Sequence, residues 1–208
     1  MRMGASVPKQ YLEVAGKTIL EHTISRLLAL HPRRLVIVVS AGDERYRGMA
    51  VIDQCDIVTG GAERADSVLS GLKMLDLKAN EWVMVHDAVR PCVRASDIIS
   101  LCDKVSGDDV GGLLGIPVTD TVKKTLGQQV VETLNRTDLW LAQTPQLFRY
   151  GILLDALKSP ENVTDEASAV EKLGYRPMMI AGHSDNIKVT TTDDLALAEH
   201  YLSQEEAR

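Results

Sequence analysis

Apolar residues recur along this chain in two rhythms, and the changes between them mark out its elements. Short unbroken apolar runs at 35–39, 57–58, 82–85 and 111–116 end in turn-forming residues. Such runs suit strands buried on both faces of a sheet. Between them Ile19, Leu20, Ile24, Leu27 and Leu28 follow helical spacing, as do Val68, Leu69, Leu72 and Leu75. The first helix opens on Thr18-Ile19-Leu20-Glu21, a capping box, and stops at His31-Pro32. Residues 11–15 with Gly16 read as a short extended piece and a turn. A further helix is expected from Ser96 as N-cap, with Asp97 after it. Strands alternating with helices predict a mostly parallel sheet with right-handed crossovers.

After Pro117 the rhythm changes. Residues 118–124 and 130–134 are weakly apolar and flank Leu126-Gly127-Gln128-Gln129, which predicts a β-hairpin. A two-stranded hairpin is not stable alone, so this arm, about 118–138, is expected to pack on a partner subunit. Residues 140–148 read as an irregular return toward the site. Helices are expected at about 150–157 and 164–173, and short strands at 178–181 and 187–190. Thr192-Asp193-Asp194 caps a last helix to about Leu202. No repeat or linker interrupts the chain, so residues 1–208 read as one α/β domain with a full core.

A net charge of −6 argues against a nucleic-acid footprint, so a polyanionic substrate must be held by a local cluster of Lys and Arg. Cys55, Cys92 and Cys102 show no C-x-x-C spacing. They read as reduced thiols of a cytoplasmic protein, with Cys102 on a helix's core face. No apolar run approaches membrane-spanning length, and residues 1–10 lack a signal-peptide apolar region.

Candidate chemistry gathers where the run 82–85 ends, at His86-Asp87-Ala88-Val89-Arg90-Pro91. Ligands of open α/β sheets lie beyond the carboxyl ends of the strands. Asp87 suits a metal or a ribose hydroxyl. Arg90 suits a phosphate, or a support for Asp87. A plain strand-end salt bridge explains the pair equally well. Gly60-Gly61 follows another strand and lets backbone approach a ligand closely, yet it is neither a dinucleotide fingerprint nor a Walker A loop. No zinc-ligand spacing and no G-x-S-x-G elbow occurs.

Seven stretches taken together say more than any one of them. They are Pro8-Lys9-Gln10-Tyr11-Leu12, Gly60-Gly61-x-Glu63-Arg64-x-Asp66-Ser67-Val68, His86-Asp87-Ala88-Val89-Arg90-Pro91, Asp120-Thr121-Val122-Lys123, Thr144-Pro145-Gln146, Thr164-Asp165-Glu166-Ala167-Ser168-Ala169 and Asp185-Asn186-Ile187-Lys188-Val189-Thr190. In this order they closely resemble the 2-C-methyl-D-erythritol 4-phosphate cytidylyltransferase family, from Arg2 to about Leu202.

The resemblance implies a Rossmann-like nucleotidyltransferase fold, a homodimer joined through the hairpin arm, and magnesium. It implies that CTP and methylerythritol phosphate give CDP-methylerythritol and pyrophosphate by in-line attack, without a covalent enzyme intermediate. By the same resemblance Arg2 and Lys9 stabilise the charged transition state, and Gly61 and Ser67 contact cytosine. Asp87 and Ala88 face the ribose and the metal. Arg136 and Lys188 place the methylerythritol phosphate, with Arg136 and Thr121 reaching the neighbouring subunit's site. Arg90 and Thr144 are further candidates for substrate contact, and Asp185 for substrate hydroxyls or metal. Two departures accompany it. Ala62 replaces an acid common after the two glycines. Of the family's opening strand and A-A-G-x-G-x-R-M loop only Arg2-Met3 is present, which predicts weak CTP binding by the 208-residue form. A cytidylyltransferase for another alditol phosphate, such as ribitol 5-phosphate, and an inactive nucleotide-binding or dimerisation module are the competing readings.

Overall fold

The structure, a computed structural model, describes residues 7–158 and 163–206. A 3-10 turn, Lys9–Tyr11, leads into a two-residue ribbon of β1 (Glu13–Val14) and β2 (Lys17–Thr18). Helix α1 (Ile19–Leu28) follows with its capping box complete: Thr18 Oγ1 accepts from the Glu21 amide at 3.2 Å, and Glu21 Oε2 accepts from the Thr18 amide at 2.9 Å. Then come β3 (Val36–Val39), β4 (Asp56–Thr59), α2 (Arg64–Leu75), β5 (Trp82–Val85), α3 (Ala95–Val105) and β6 (Gly111–Pro117). The arm is β7 (Val122–Leu126) and β8 (Gln129–Leu134). The chain continues through β9 (Trp140–Arg149), α4 (Tyr150–Ala156), α5 (Glu166–Lys172), β10 (Met178–Ala181) and α6 (Thr192–Glu206).

The main sheet has the order β10-β6-β9-β5. The strand–helix alternation produces two parallel pairs, β3 with β4 and β10 with β6. Strand β9 runs antiparallel to both β6 and β5, so the sheet is mixed. Period-two side chains send Val83, Leu113 and Phe148 to one face, against Leu72, Leu153 and Val170 of α2, α4 and α5. Leu114, Leu147 and Ile180 go to the other, against Ile98, Leu101 and Val105 of α3. Fully burying one such side chain contributes roughly 1.5–3 kcal/mol. Helices on both faces are what make these strands read as unbroken apolar runs. Among the described residues no helix is long and apolar enough to cross a membrane.

Several local expectations change. Residues 140–148 lie in a strand, β9, paired with β6 along its length apart from a register shift at 143–145, and with β5 over 146–149. Its buried half contains Gln143, Thr144 and Gln146, which hid the strand from a reading based on apolar runs. Residues 187–190 form no strand; Val189 donates one backbone bond to Val89 at 2.9 Å and is buried beside α6. Helix α3 starts at Ala95, before Ser96, with Arg94 at the N-cap and no side-chain cap. Thr191 rather than Thr192 caps the last helix: its hydroxyl accepts from the Asp194 amide at 3.2 Å, and Asp194 Oδ2 accepts from its amide at 2.8 Å. Cys102 is exposed, off the core face of α3.

Among the described residues the pair β3–β4 makes no strand pairing with the main sheet, and β3 and β5 each lie at the end of their sheet. An apolar cavity of about 1070 Å³ lies between them, lined by Ile24, Val38, Leu72, Val83 and Leu147, with Ser67, His86 and Asp87 among its walls.

Candidate active site

Strand β5 stops at Val85, opposite Gln146 of β9. Between Leu113 and Gly115 the β6–β9 register shifts, leaving residues 143–145 out of the ladder. Such a bulge re-aims side chains, and here it puts Thr144 under the residues that follow β5. The Thr144 hydroxyl accepts from the Asp87 amide at 3.0 Å and lies 3.1 Å from His86 Nδ1. His86 Nε2 lies 3.1 Å from the Arg90 carbonyl. A carbonyl only accepts, so the proton is on Nε2 and Thr144 donates to Nδ1. Thr23 Oγ1 donates to the Ala88 carbonyl at 2.9 Å, tying the Ala88 turn to α1.

Burial pushes the His86 imidazole down to about 4, so it stays neutral across the physiological range. The sign of the pH effect follows. Between pH 6.5 and 4 the unfolded chain binds a proton that the folded chain does not, so stability falls as pH drops through this window. The expected loss is roughly 2 kcal/mol between about pH 7 and 5. Urea unfolding at the two pH values measures it. His86→Gln, which cannot become charged, should lose correspondingly less, and an equal loss in both proteins would refute the assignment.

Asp87 is the centre of charge. Lys188 Nζ lies 3.0 Å from Oδ2, Arg64 Nη2 3.2 Å from Oδ1 and Arg90 Nε 3.5 Å from Oδ2. Burial pushes the carboxyl's pKa up, but Lys188, Arg64 and Arg90 outweigh it and hold the group below the usual carboxylate range. Arg64 in turn grips Glu166, Nη1 to Oε1 at 2.6 Å and Nη2 to Oε2 at 2.9 Å. Three cations face two carboxylates, so the cluster keeps one positive charge on an acidic protein. Its position beside a cleft suits an anionic ligand.

The loop carrying Lys188 is strapped down. Arg90 Nη1 donates to the Asn186 carbonyl at 2.6 Å, and the buried Asn186 amide donates to the Thr144 carbonyl at 2.9 Å. Arg94 Nε donates to Asp185 Oδ2 at 2.7 Å. Gln143 Nε2 donates to the His183 carbonyl at 3.1 Å. Asp185 Oδ1 is buried with no partner among the described residues.

Gly60 and Gly61 are required sterically. A Cβ on Gly60 would lie 2.5 Å from Ser67 Oγ, and one on Gly61 2.3 Å from Asp66 Cβ. The turn thus rests directly on the first turn of α2, where Ser67 Oγ donates to the Glu63 carbonyl at 3.0 Å.

The structure brings together Asp87, Arg90, Thr144 and Lys188, with Asp185 on the adjoining loop. Arg90 acts as a support for Asp87, and Thr144 is a buried prop, 4% exposed, beneath it. Lys9 is exposed on its 3-10 turn, and Thr121 and Arg136 are exposed at the arm; none contacts the Asp87 cluster among the described residues. Arg2 lies outside the described residues. Sequence reasoning missed Arg64 and Glu166 as members of the cluster, and Arg94 as the partner of Asp185. Arg64 and Glu166 stood inside quoted motifs, but nothing in their spacing marks a contact across 102 residues.

For a metal, the described residues hold no group of three or more His, Cys, Asp or Glu ligands. Asp87 alone suits Mg²⁺, which usually takes one or two carboxylates and completes its shell with water and substrate phosphates.

The profile of the family described as "IspD: 2-C-methyl-D-erythritol 4-phosphate cytidylyltransferase" matches residues 1–204. The chain belongs to this family. A protein of that name from Vibrio vulnificus (strain CMCP6) is 50% identical over 218 residues, covering 100% of this chain and 92% of that protein. One from Vibrio atlanticus (strain LGP32) is 49% identical, covering 98% and 91%. Among solved structures, a 4-diphosphocytidyl-2C-methyl-D-erythritol synthase superposes with TM-score 0.86 at 36% identity, covering 93% of this chain and 94% of that one. The Thermus thermophilus cytidylyltransferase superposes with TM-score 0.82 at 28% identity, covering 95% and 94%. The family's nucleotidyltransferase fold is therefore the fold of this chain, and its sheet with helices on both faces is the one described above.

Proposed function

We propose that the cleft around Asp87 is where this chain carries out cytidylyl transfer from CTP to 2-C-methyl-D-erythritol 4-phosphate, the activity of its family. The observation that carries the placement is the carboxylate at the end of β5, ringed by Lys188, Arg64 and Arg90 beside an open cavity. A phosphate oxygen of the acceptor forms a new bond to the α-phosphorus of CTP. The bond to the bridging oxygen breaks on the opposite side, and pyrophosphate leaves. This chemistry needs positioning and neutralisation of phosphoryl charge rather than a protein nucleophile.

Gly61 and Ser67 flank the cytosine, and the Ala88 turn faces the ribose. Lys188 would serve the acceptor phosphate, and Asp87 is the carboxylate that would hold a magnesium ion. When bound, the ion would supply neutralisation of phosphate charge. Asp185 Oδ1, with no protein partner among the described residues, accepts from an acceptor hydroxyl. Lys9, exposed on its 3-10 turn, and Arg2 complete the cationic surround of the α-phosphate.

The arm joins two copies. Leu126, Val130, Val131 and Leu141 are 57–77% exposed on it and on the adjoining end of β9, and a surface of this kind suits burial against a partner. The arm of one subunit then carries Thr121 and Arg136 to the other's site.

Pyrophosphate release should require CTP, methylerythritol phosphate and a divalent cation together. Equal or faster turnover with ribitol 5-phosphate would favour the other alditol acceptor instead.

A further inference from the structure

We propose that Arg64, held by Glu166, is a positioning residue that aims the Asp87 carboxylate into the cleft. The inference rests on the role given to Asp87 above. Glu166 is 1% exposed and opens α5; Arg64 opens α2. Both Glu166 oxygens are taken by the same guanidinium, at 2.6 and 2.9 Å. A planar fork gripped at two points has little freedom left. Its Nη2 therefore meets Asp87 Oδ1, at 3.2 Å, from a fixed direction.

The two Asp87 oxygens then differ. Oδ1 is anchored to a rigid donor. Oδ2 faces Lys188 at 3.0 Å and Arg90 Nε at 3.5 Å; Lys188, 46% exposed against 11% for Arg90, is the partner best able to leave. With Oδ1 held, exchange at Oδ2 does not let the carboxylate rotate.

The grip on Arg64 is itself anchored. Gln146, 1% exposed, donates from Nε2 to Asp165 Oδ2 at 2.8 Å, and its Oε1 accepts from the Ala167 amide at 2.8 Å. The start of α5 is thereby locked to β9, the strand whose bulge holds the Asp87 amide through Thr144. Asp87 is fixed through its backbone from β9 and through its side chain from α5 by way of Arg64. Burial works against the Arg64 charge, but Glu166 and Asp87 outweigh it and keep the guanidinium protonated.

A buried ion pair can also be plain scaffolding, and the two roles differ in measurable ways. Arg64→Lys keeps the charge and loses the fork. Its kcat should fall about 10- to 100-fold, while CTP affinity in EDTA, read by calorimetry, changes by less than about threefold. In an Asp87→Asn background the same substitution should cost less than about threefold more, because its effect passes through Asp87. Glu166→Gln frees the fork and should repeat this pattern; it decides the matter if Arg64→Lys does not fold. Multiplying effects in the double variant, or metal-free CTP affinity falling in step with kcat, would overturn the inference. If Asp87→Asn is itself inactive, the metal-free binding comparison decides alone. Undiminished activity of Asp87→Asn would instead overturn the role given to Asp87 itself.

Discussion

Two inactive homodimers, Lys9→Ala and Arg136→Ala, should regain activity when mixed under subunit exchange. The expectation comes from a composite site, with Lys9 and Asp87 from one subunit and Arg136 from its partner. Arg136 stands at the base of the β7–β8 arm, exposed, and makes no contact with the Asp87 cluster among the described residues. The arm's strands hold each other by backbone pairing and by contacts such as Lys123 Nζ to Thr133 Oγ1 at 2.7 Å. Its apolar residues Leu126, Val130 and Val131 cover no core of their own. A guanidinium carried across on this arm can hold a phosphate through two parallel hydrogen bonds, which a lysine cannot copy. In a mixed dimer one site contains both lesions and the other contains neither. Random exchange makes half the dimers mixed, so about a quarter of wild-type activity should return. No recovery, with heterodimers seen by native mass spectrometry, would mean that Arg136 serves its own subunit.

The second large effect is expected at Lys9 itself. Lys9→Ala should lower kcat by about 100- to 1000-fold, equivalent to roughly 2.7–4 kcal/mol, the range found when one donor to a developing oxyanion is removed. An ammonium aimed at charge that grows on the α-phosphate stabilises the transition state more than the bound substrate. The side chain is exposed on its turn. Its backbone is held, since its carbonyl accepts from the Leu12 amide at 3.0 Å. A rise confined to the Michaelis constant for CTP would make Lys9 a binding residue only.

Local rules carried the sequence reading where the relevant physics is local. The Thr18/Glu21 capping box formed as read, because its partners are three residues apart. The strand-end location of Asp87 was legible because an apolar run followed by a carboxylate has few other uses in an α/β sheet. Resemblance supplied the family, since seven short motifs in order constrain far more than any one of them.

Tertiary structure decided the rest. Strand β9 has polar side chains in its buried half, and only its two neighbours reveal it as a strand. Thr144 was a candidate for substrate contact and Arg90 for substrate contact or for support of Asp87; only the fold shows that Thr144 meets Asp87 and His86 and that Arg90 meets Asp87 and Asn186. Glu166 reaches Arg64 across 102 residues, a contact no spacing rule can contain. Residue types and short-range order therefore came from the sequence itself. Which carboxylate each cation meets depended on folding, because burial and long-range charge pairing exist only once the helices have closed around the sheet.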